Sequence, residues 1–305
     1  MFERAFEVLR GFGQARLVSE ITQLRSQLGL QRGWPPGHFY SPVPALEELE
    51  NDEERLFGPP SRGLLGVDLN EEGQRRLFAE MTLHYAAQPF GPKKQPDLRY
   101  FFENPNFGRG EAIILYCMMN LLKPRRMVEI GSGYSSCAIL DINDRCLGGS
   151  LDLVLIEPYP DLLYSLMKPG DAERVQLFAS RLQDIPDKIF EDLNQNDILF
   201  IDSSHVSKAG SDVNHLFFEV LPRLSSGVYV HIHDIYYPFE YPKKWIYEGR
   251  YWNEAYMLRA FLQNNVSFEI SFFNSWWGMF EHNLLARDMP LLADHQGSSL
   301  WLRKR

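Results

Sequence analysis

From residue 108 onward, short apolar runs alternate with segments of helical spacing, and this alternation predicts most of the fold. Apolar runs predict strands at 127–130, 151–156, 175–178, 197–201 and 227–233. Between them, apolar residues recurring every three or four positions predict helices at 111–122, 135–144, 161–167, 185–193 and 211–221. Strands separated by helices of this length require right-handed crossovers, hence a parallel, doubly wound α/β sheet with helices on both faces. A further helix at 254–264 is followed by strands at 267–274 and 298–303, with a helical insert between them.

Upstream, the pattern is less regular. Phe2, Phe6, Leu9 and Phe12, then Leu17, Ile21, Leu24 and Leu28, have helical spacing broken near Gly11 and Gly13. Glu3, Arg4 and Glu7 interrupt what a signal peptide would keep apolar, so these helices are expected to pack on the main domain or on a second subunit, allowing a homo-oligomer. Residues 31–66, rich in Pro, Gly and acids, predict an extended connector. Helical spacing resumes over 70–85 before an irregular stretch over 88–106. The expected division is an N-terminal helical and extended accessory region, 1–98, and a catalytic domain, 99–305.

Composition narrows the partners. A chain of 305 residues, 45% hydrophobic, can bury a full α/β core. The formal charge of −9 disfavours nucleic acid and anionic membranes, both of which need a basic face, and no stretch reaches transmembrane length. Cys117, Cys137 and Cys146 show no CxxC spacing, which predicts buried thiols in a reducing compartment, the cytoplasm.

Candidate chemistry gathers at the strand ends, where ligands of such sheets bind. Met127-Val128-Glu129-Ile130 runs into Gly131-Ser132-Gly133-Tyr134-Ser135-Ser136, a strand turning sharply into a helix. Two glycines there allow positive φ and close approach of backbone to a cofactor. Glu157 follows the second strand, Gln183 and Asp184 the third, Asp202 to His205 the fourth, and His233 and Asp234 the fifth. A dinucleotide fingerprint would place a third glycine where Ser136 stands, so the NAD signal is incomplete. S-adenosylmethionine (SAM) has no phosphate and calls for acids at its ribose hydroxyls and ammonium; Glu157 suits either cofactor's ribose.

The stretch from about residue 100 to 303 resembles the class I SAM-dependent methyltransferases, with their Rossmann-like seven-stranded sheet and antiparallel last strand. The words Val128-Glu129-Ile130-Gly131-Ser132-Gly133, Ile156-Glu157-Pro158-Tyr159, Phe200-Ile201-Asp202-Ser203-Ser204-His205 and Val230-His231-Ile232-His233-Asp234 are similar to a sugar- and polysaccharide-tailoring group. That group is related to the macrocin-type O-methyltransferases and cephalosporin-hydroxylase-like proteins. The resemblance implies Glu129, Gly131 and Gly133 beside the methionine part of SAM, with Tyr134 and Ser135 along the turn. It further implies Glu157 at the ribose, Asp184 and Gln183 at the adenine edge, and Tyr100, Asn104 and Phe107 as cover.

Methyl transfer to a hydroxyl needs alignment and removal of the acceptor's proton. One solution is a divalent metal on Asp202 and Asp234, completed by His233 or His205, with Mg²⁺ or Mn²⁺ ahead of Fe²⁺ or Zn²⁺. The other is a histidine base, His205 or His233. His233-Asp234 supplies one acid where the metal-dependent pattern carries two consecutive acidic or amide residues. His231, deep in its strand, is expected to be structural. The aromatic run Tyr236, Tyr237, Phe239, Tyr241, Trp245, Tyr247, Tyr251 and Trp252 can stack on an acceptor or pack as a loop, and Lys243 and Lys244 can solvate it or meet an anionic acceptor. The expected activity is O-methylation of a sugar, glycan or related small metabolite. Two alternatives are an oxidoreductase on the same fold, nicotinamide-linked or iron-dependent, and a non-catalytic SAM-binding subunit.

Overall fold

The computed structural model describes residues 34–305. The predicted N-terminal helices up to residue 30 lie outside the described residues. Two compact units are resolved by their internal contacts, one ending at Gly58 and one spanning Pro59–Arg305. In the first, Leu46–Asn51 and Glu53–Phe57 are short helices, where the composition predicts only an extended connector. Acids in the first turn of each, Glu47, Glu48, Glu53 and Glu54, complement the positive end of the helix and outweigh the Pro and Gly around them.

The second unit contains α1 (Glu71–Tyr85), α2 (Arg109–Leu122), β1 (Arg126–Ile130), α3 (Tyr134–Cys146), β2 (Asp152–Ile156), α4 (Asp161–Leu166), β3 (Val175–Phe178), β4 (Ile198–Ile201), β5 (Tyr229–Ile232), α5 (Glu254–Leu262), β6 (Phe268–Phe273), α6 (Asn274–Phe280) and β7 (Leu300–Lys304). The expected accessory boundary at 98/99 falls inside it. The seven strands form one sheet in the order β3-β2-β1-β4-β5-β7-β6. All neighbours are parallel except β7, which runs antiparallel to β5 and β6. This is the doubly wound, seven-stranded arrangement with a reversed last strand.

The core follows the apolar runs. β4 is wholly buried, and β1, β2 and β5 are buried beyond their first residue. Helix α2 buries 11 of its 14 residues because it packs on α1, α3 and the Pro290–Ala293 helix. It ends at Lys123 in the left-handed conformation, one residue before Pro124. The stretch Asp212–Arg223 is helical with a π segment over Leu216–Val220, and the predicted insert before β7 resolves into α6, His282–Asp288 and Pro290–Ala293. No helix among the described residues is long and apolar enough to cross a membrane.

Two polar devices fix the strands and the segment before α2. Asp197 Oδ1 accepts the N–H groups of Arg125 and Arg126, at 3.0 and 2.9 Å, and so sets the start of β1 against β4. Buried Arg99 donates to Asp171, Asp141 and Asp144 at 2.5–2.9 Å, while Asp141 Oδ2 accepts the N–H groups of Arg99 and Tyr100. This network anchors Arg99 and Tyr100, from which the 101–108 loop runs on to the cofactor-side hollow at Phe107.

Candidate active site

The strand order reverses between β1 and β4, so their carboxyl ends diverge and leave a crevice. Gly131 and Asp202 begin it: Asp202 N–H donates to Ile130 O at 2.9 Å, and Gly131 N–H to Ile156 O at 3.0 Å. Gly131 takes φ +80°, and a Cβ built there would lie 1.7 Å from Asp202 O. The glycine is required by the neighbouring strand's backbone, a closer constraint than the cofactor approach expected from sequence. Gly133 departs from expectation too. Its φ of −179° is extended backbone, and a Cβ would meet only Leu162 at 3.6 Å; its contribution is space.

Two hollows meet at this crevice. One, of about 300 Å³, is lined by Gly131, Ile156, Glu157, Pro158, Leu182 and Gln183 with Asp202 and Ser203. The other, of about 130 Å³, is lined by Asn106, Phe107, Ser132, Gly133, Tyr134 and Ser135, and shares Gly131, Glu157 and Asp202 with the first. Glu157 is held by backbone: Ser132 N–H donates to its Oε2 at 3.2 Å and Tyr159 N–H to its Oε1 at 2.7 Å. Behind the glycine turn, Glu129 is fully buried and its Oε2 accepts from Ser136 Oγ at 2.5 Å. Burial pushes the Glu129 carboxyl up to about 8, against the pull of Ser135 and Ser136.

These residues fit SAM. Glu129 Oε1, Ser132 Oγ and Ser203 Oγ are buried polar atoms without a protein partner, the kind of vacancy a polar ligand satisfies. Tyr134, Ser135 and Gln183 line the hollows, and Gln183 Nε2 donates to Gly210 O. Asp184 does not join them. It is half exposed and paired with Arg181 at 2.9 Å, because the 3₁₀ turn Leu182–Asp184 directs it back along the chain. Of the expected cover, only Phe107 reaches the site; Tyr100 Oη donates to Phe107 O and Asn104 Nδ2 to Phe101 O and Phe107 O, shaping the loop from within.

The candidate chemistry centres on His205. Its ring is buried, with Nδ1 2.9 Å from Glu254 Oε2. Nε2 lies 3.4 Å from Asp202 Oδ1 and 3.9 Å from Asp234 Oδ2. Trp252 covers the ring face at 4.3 Å. His205 O accepts the N–H groups of Asn253 and Glu254, so the start of α5 is tied to the same residue that Glu254 holds. His205 and Asp234 both adopt left-handed backbone, φ +58° and +54°, conformations that cost energy in non-glycine residues and cluster at functional sites.

The surrounding charges set the protonation states. Burial lowers the His205 pKa, but hydrogen bonds to Asp202 and Glu254 and their charges raise it to about 10. Burial raises Asp202, but His233 and His205 together hold it below the usual carboxylate range. His233 is buried and raised by Asp202, Asp234 and Glu111 against its desolvation; its ring packs on Phe107 at 5.5 Å. His231 stacks on Phe200 at 4.0 Å, and burial holds it well below its ordinary value, so it is a core residue as expected.

The metal reading fares differently. Asp202, Asp234, His205 and His233 lie close together, but as partners of one another: His205 Nε2 faces Asp202 and Asp234, His233 Nε2 is 3.6 Å from Asp234 Oδ1, and that oxygen accepts from Ser298 Oγ at 3.0 Å. Among the described residues no group of three or more His, Cys, Asp and Glu side chains is arranged to hold an ion. The donor set as folded does not fit the expected metal.

The aromatic run divides in two. Tyr237, Phe239 and Tyr241 are buried in the packing, whereas Tyr236, Trp245 and Trp252 form an edge-to-face series, 5.3 and 5.4 Å apart, leading to His205. Lys244 faces Glu248 and Lys243 lies over Tyr247. Glu254 was not marked by the sequence, since it lies 49 residues from His205 inside an ordinary helical pattern.

Residues 128–235 match the family model described as a methyltransferase domain. Residues 128–235 thus form a methyltransferase domain, set in the doubly wound seven-stranded fold of the class I SAM-dependent methyltransferases. An Archaeoglobus fulgidus protein described as uncharacterized is 33% identical over 168 residues, 53% of this chain and 75% of that one. The chain belongs to the same family as this archaeal protein. Among solved structures, the SAH-bound Podospora anserina methyltransferase PaMTH1 is 15% identical, covering 80% of this chain and 99% of that one, with a TM-score of 0.44. The apo structure of CmcI-N160 is 19% identical, covering 65% and 72%, with a TM-score of 0.40.

Proposed function

We propose that this methyltransferase transfers its methyl group to a hydroxyl of a sugar, glycan or related small metabolite, with His205 as the proton acceptor. The observation that carries this reading is His205 itself: Glu254 occupies Nδ1, and Nε2 faces the Asp202 that lines the cofactor crevice. Bound SAM supplies an electrophilic methyl on a sulfonium, and the chain's own residues do the rest. Glu129 Oε1 accepts the cofactor's ammonium, and Glu157 accepts the ribose hydroxyls. Leu182 and Pro158 flank the base with apolar surface. In its neutral form, which becomes abundant as pH rises toward about 10, His205 takes the acceptor's hydroxyl proton on Nε2 while the oxygen–methyl bond forms and the methyl–sulfur bond breaks, and Glu254 stabilises the resulting imidazolium.

No step is routed through a metal, since these donors are taken up by one another and no three of them are arranged to hold an ion among the described residues. The net charge of −9 and the free cysteines support a small-molecule acceptor and a cytoplasmic setting. The test is incubation of the purified protein with isotopically labelled SAM and separate pools of sugars, phenols and amines, with products read by mass spectrometry and NMR. Label on a hydroxyl oxygen supports the reading; label only on nitrogen or carbon, or reduction of NAD in place of methyl transfer, overturns it.

A further inference from the structure

A third cleft, of about 550 Å³, lies beside the proposed chemistry, and its lining names the kind of molecule it takes. Its walls are the 102–111 stretch at the start of α2, Tyr236 after β5, and residues 294–298 before β7. The walls join closely at two glycines: a Cβ on Gly110 would lie 2.1 Å from the backbone His295 O, and one on Gly297, at φ +84°, 2.6 Å from Cδ of the Glu111 side chain. The cleft is therefore fixed by glycines on both sides.

It adjoins the proposed base through a short polar chain. Ser298 Oγ lies 3.3 Å from Glu111 Oε1 and 3.0 Å from Asp234 Oδ1, and Asp234 Oδ2 faces His205 Nε2. The same 101–108 loop borders the cofactor hollow through Phe107 and this cleft through Phe102 and Gly108.

The carboxylate at its floor is unusual. Glu111 is only 6% exposed, and its Oε1 accepts the N–H of Ser298 at 2.7 Å. Its Oε2 has no hydrogen-bond donor among the described residues; the side chain lines the cleft, and its charge also acts on buried His233. Arg109, the cleft's arginine, leans toward Asp294 at 3.9 Å and pairs with neither Glu111 nor Glu103; its buried Nε also lacks a partner. Phe102 and Tyr236 offer ring faces, which attract both the apolar face of a sugar and a cation.

Building on the methyltransferase reading above, we propose that this cleft is the methyl-acceptor site and that Glu111 selects acceptors carrying an ammonium group beside the target hydroxyl, as an amino sugar does. Glu111 Oε2 pairs with the ammonium, Arg109 Nε donates to a ring or hydroxyl oxygen, and the target hydroxyl is directed toward Asp234 and His205. Anionic acceptors such as uronates or nucleotide sugars are repelled by the same carboxylates.

Calorimetry of the SAH-saturated protein with glucosamine, glucose and glucuronate tests this. Glucosamine is expected to bind about tenfold or more tightly than the other two, the scale of a charge-assisted hydrogen bond, and Glu111→Gln should abolish the difference. Asp294→Asn, at a largely exposed position on the mouth, keeps the fold out of question and should weaken glucosamine binding about two- to threefold, as expected for an exposed charge. Equal binding of the three sugars, binding of none, or a preference that survives Glu111→Gln in a protein of unaltered SAH affinity overturns the proposal. Failure to bind SAH at all would strike the methyltransferase reading instead, so the two failures are distinguishable.

Discussion

Glu254 Oε2 lies 2.9 Å from His205 Nδ1, and neither side chain is open to solvent. A buried carboxylate in this position fixes the imidazole's orientation, keeps Nδ1 protonated and leaves Nε2 as the atom that exchanges a proton. Glu254 is thus a positioning residue for His205.

The base form of His205 is needed for turnover, and its pKa stands near 10, so kcat/KM for methyl transfer should rise with pH through the alkaline range and level off around that value. Glu254→Gln removes one stabilising carboxylate and should move the break down by about one unit or more. A profile that keeps its break in Glu254→Gln would show that Glu254 does not act through His205.

Stability should respond with the opposite slope. His205 has a folded pKa raised above its ordinary value of 6.5, so its contribution is full below that value and is lost as pH rises through about 10. Urea unfolding of the wild type should therefore show stability falling across this window, and His205→Gln should flatten the fall.

The Arg99 network sustains the loop bordering both clefts. Its side chain is 3% exposed and pairs with Asp141 and Asp171, themselves buried. Arg99→Ala leaves those carboxylates uncompensated and should cost about 3–5 kcal/mol, measured by denaturant unfolding. A loss below about 1 kcal/mol, the range of exposed pairs, would contradict the packing described.

Glu129→Gln replaces the carboxylate whose Oε1 has no protein partner. Its SAH affinity should fall about tenfold or more, with little change in thermal stability, because a buried carboxyl raised to about 8 contributes little through its charge at neutral pH. Unchanged affinity would move the ammonium elsewhere.

Gly131→Ala separates the two roles of the glycine turn. A methyl 1.7 Å from Asp202 O cannot be accommodated without moving β1 or β4, so destabilisation of about 3 kcal/mol or more is expected, together with lost SAH binding. Gly133→Ala should fold normally.

Much of this was readable from residue order because it is local. Each strand is an apolar run, and the acids and histidines at strand ends must emerge at one edge of a parallel sheet; Glu157, Asp202, His205 and Asp234 were placed that way. What escaped depends on distance or on side-chain direction. Glu254 reaches His205 from a helix 49 residues on, and Glu111 meets Ser298 across 187 residues. Asp184 stands at a strand end by position, yet a single 3₁₀ turn pairs it with Arg181. Likewise, the need for glycine at 131 comes from a carbonyl on another strand, which no local pattern records.

The most direct test of the account is His205→Gln, with methyl-transfer rate and SAH affinity measured on the same preparation. Removal of a general base should lower kcat by about 10²–10⁴-fold while SAH binds as in the wild type, since His205 lies beside the cofactor crevice and does not line it. Wild-type turnover in that variant would contradict the assignment of His205 as the base.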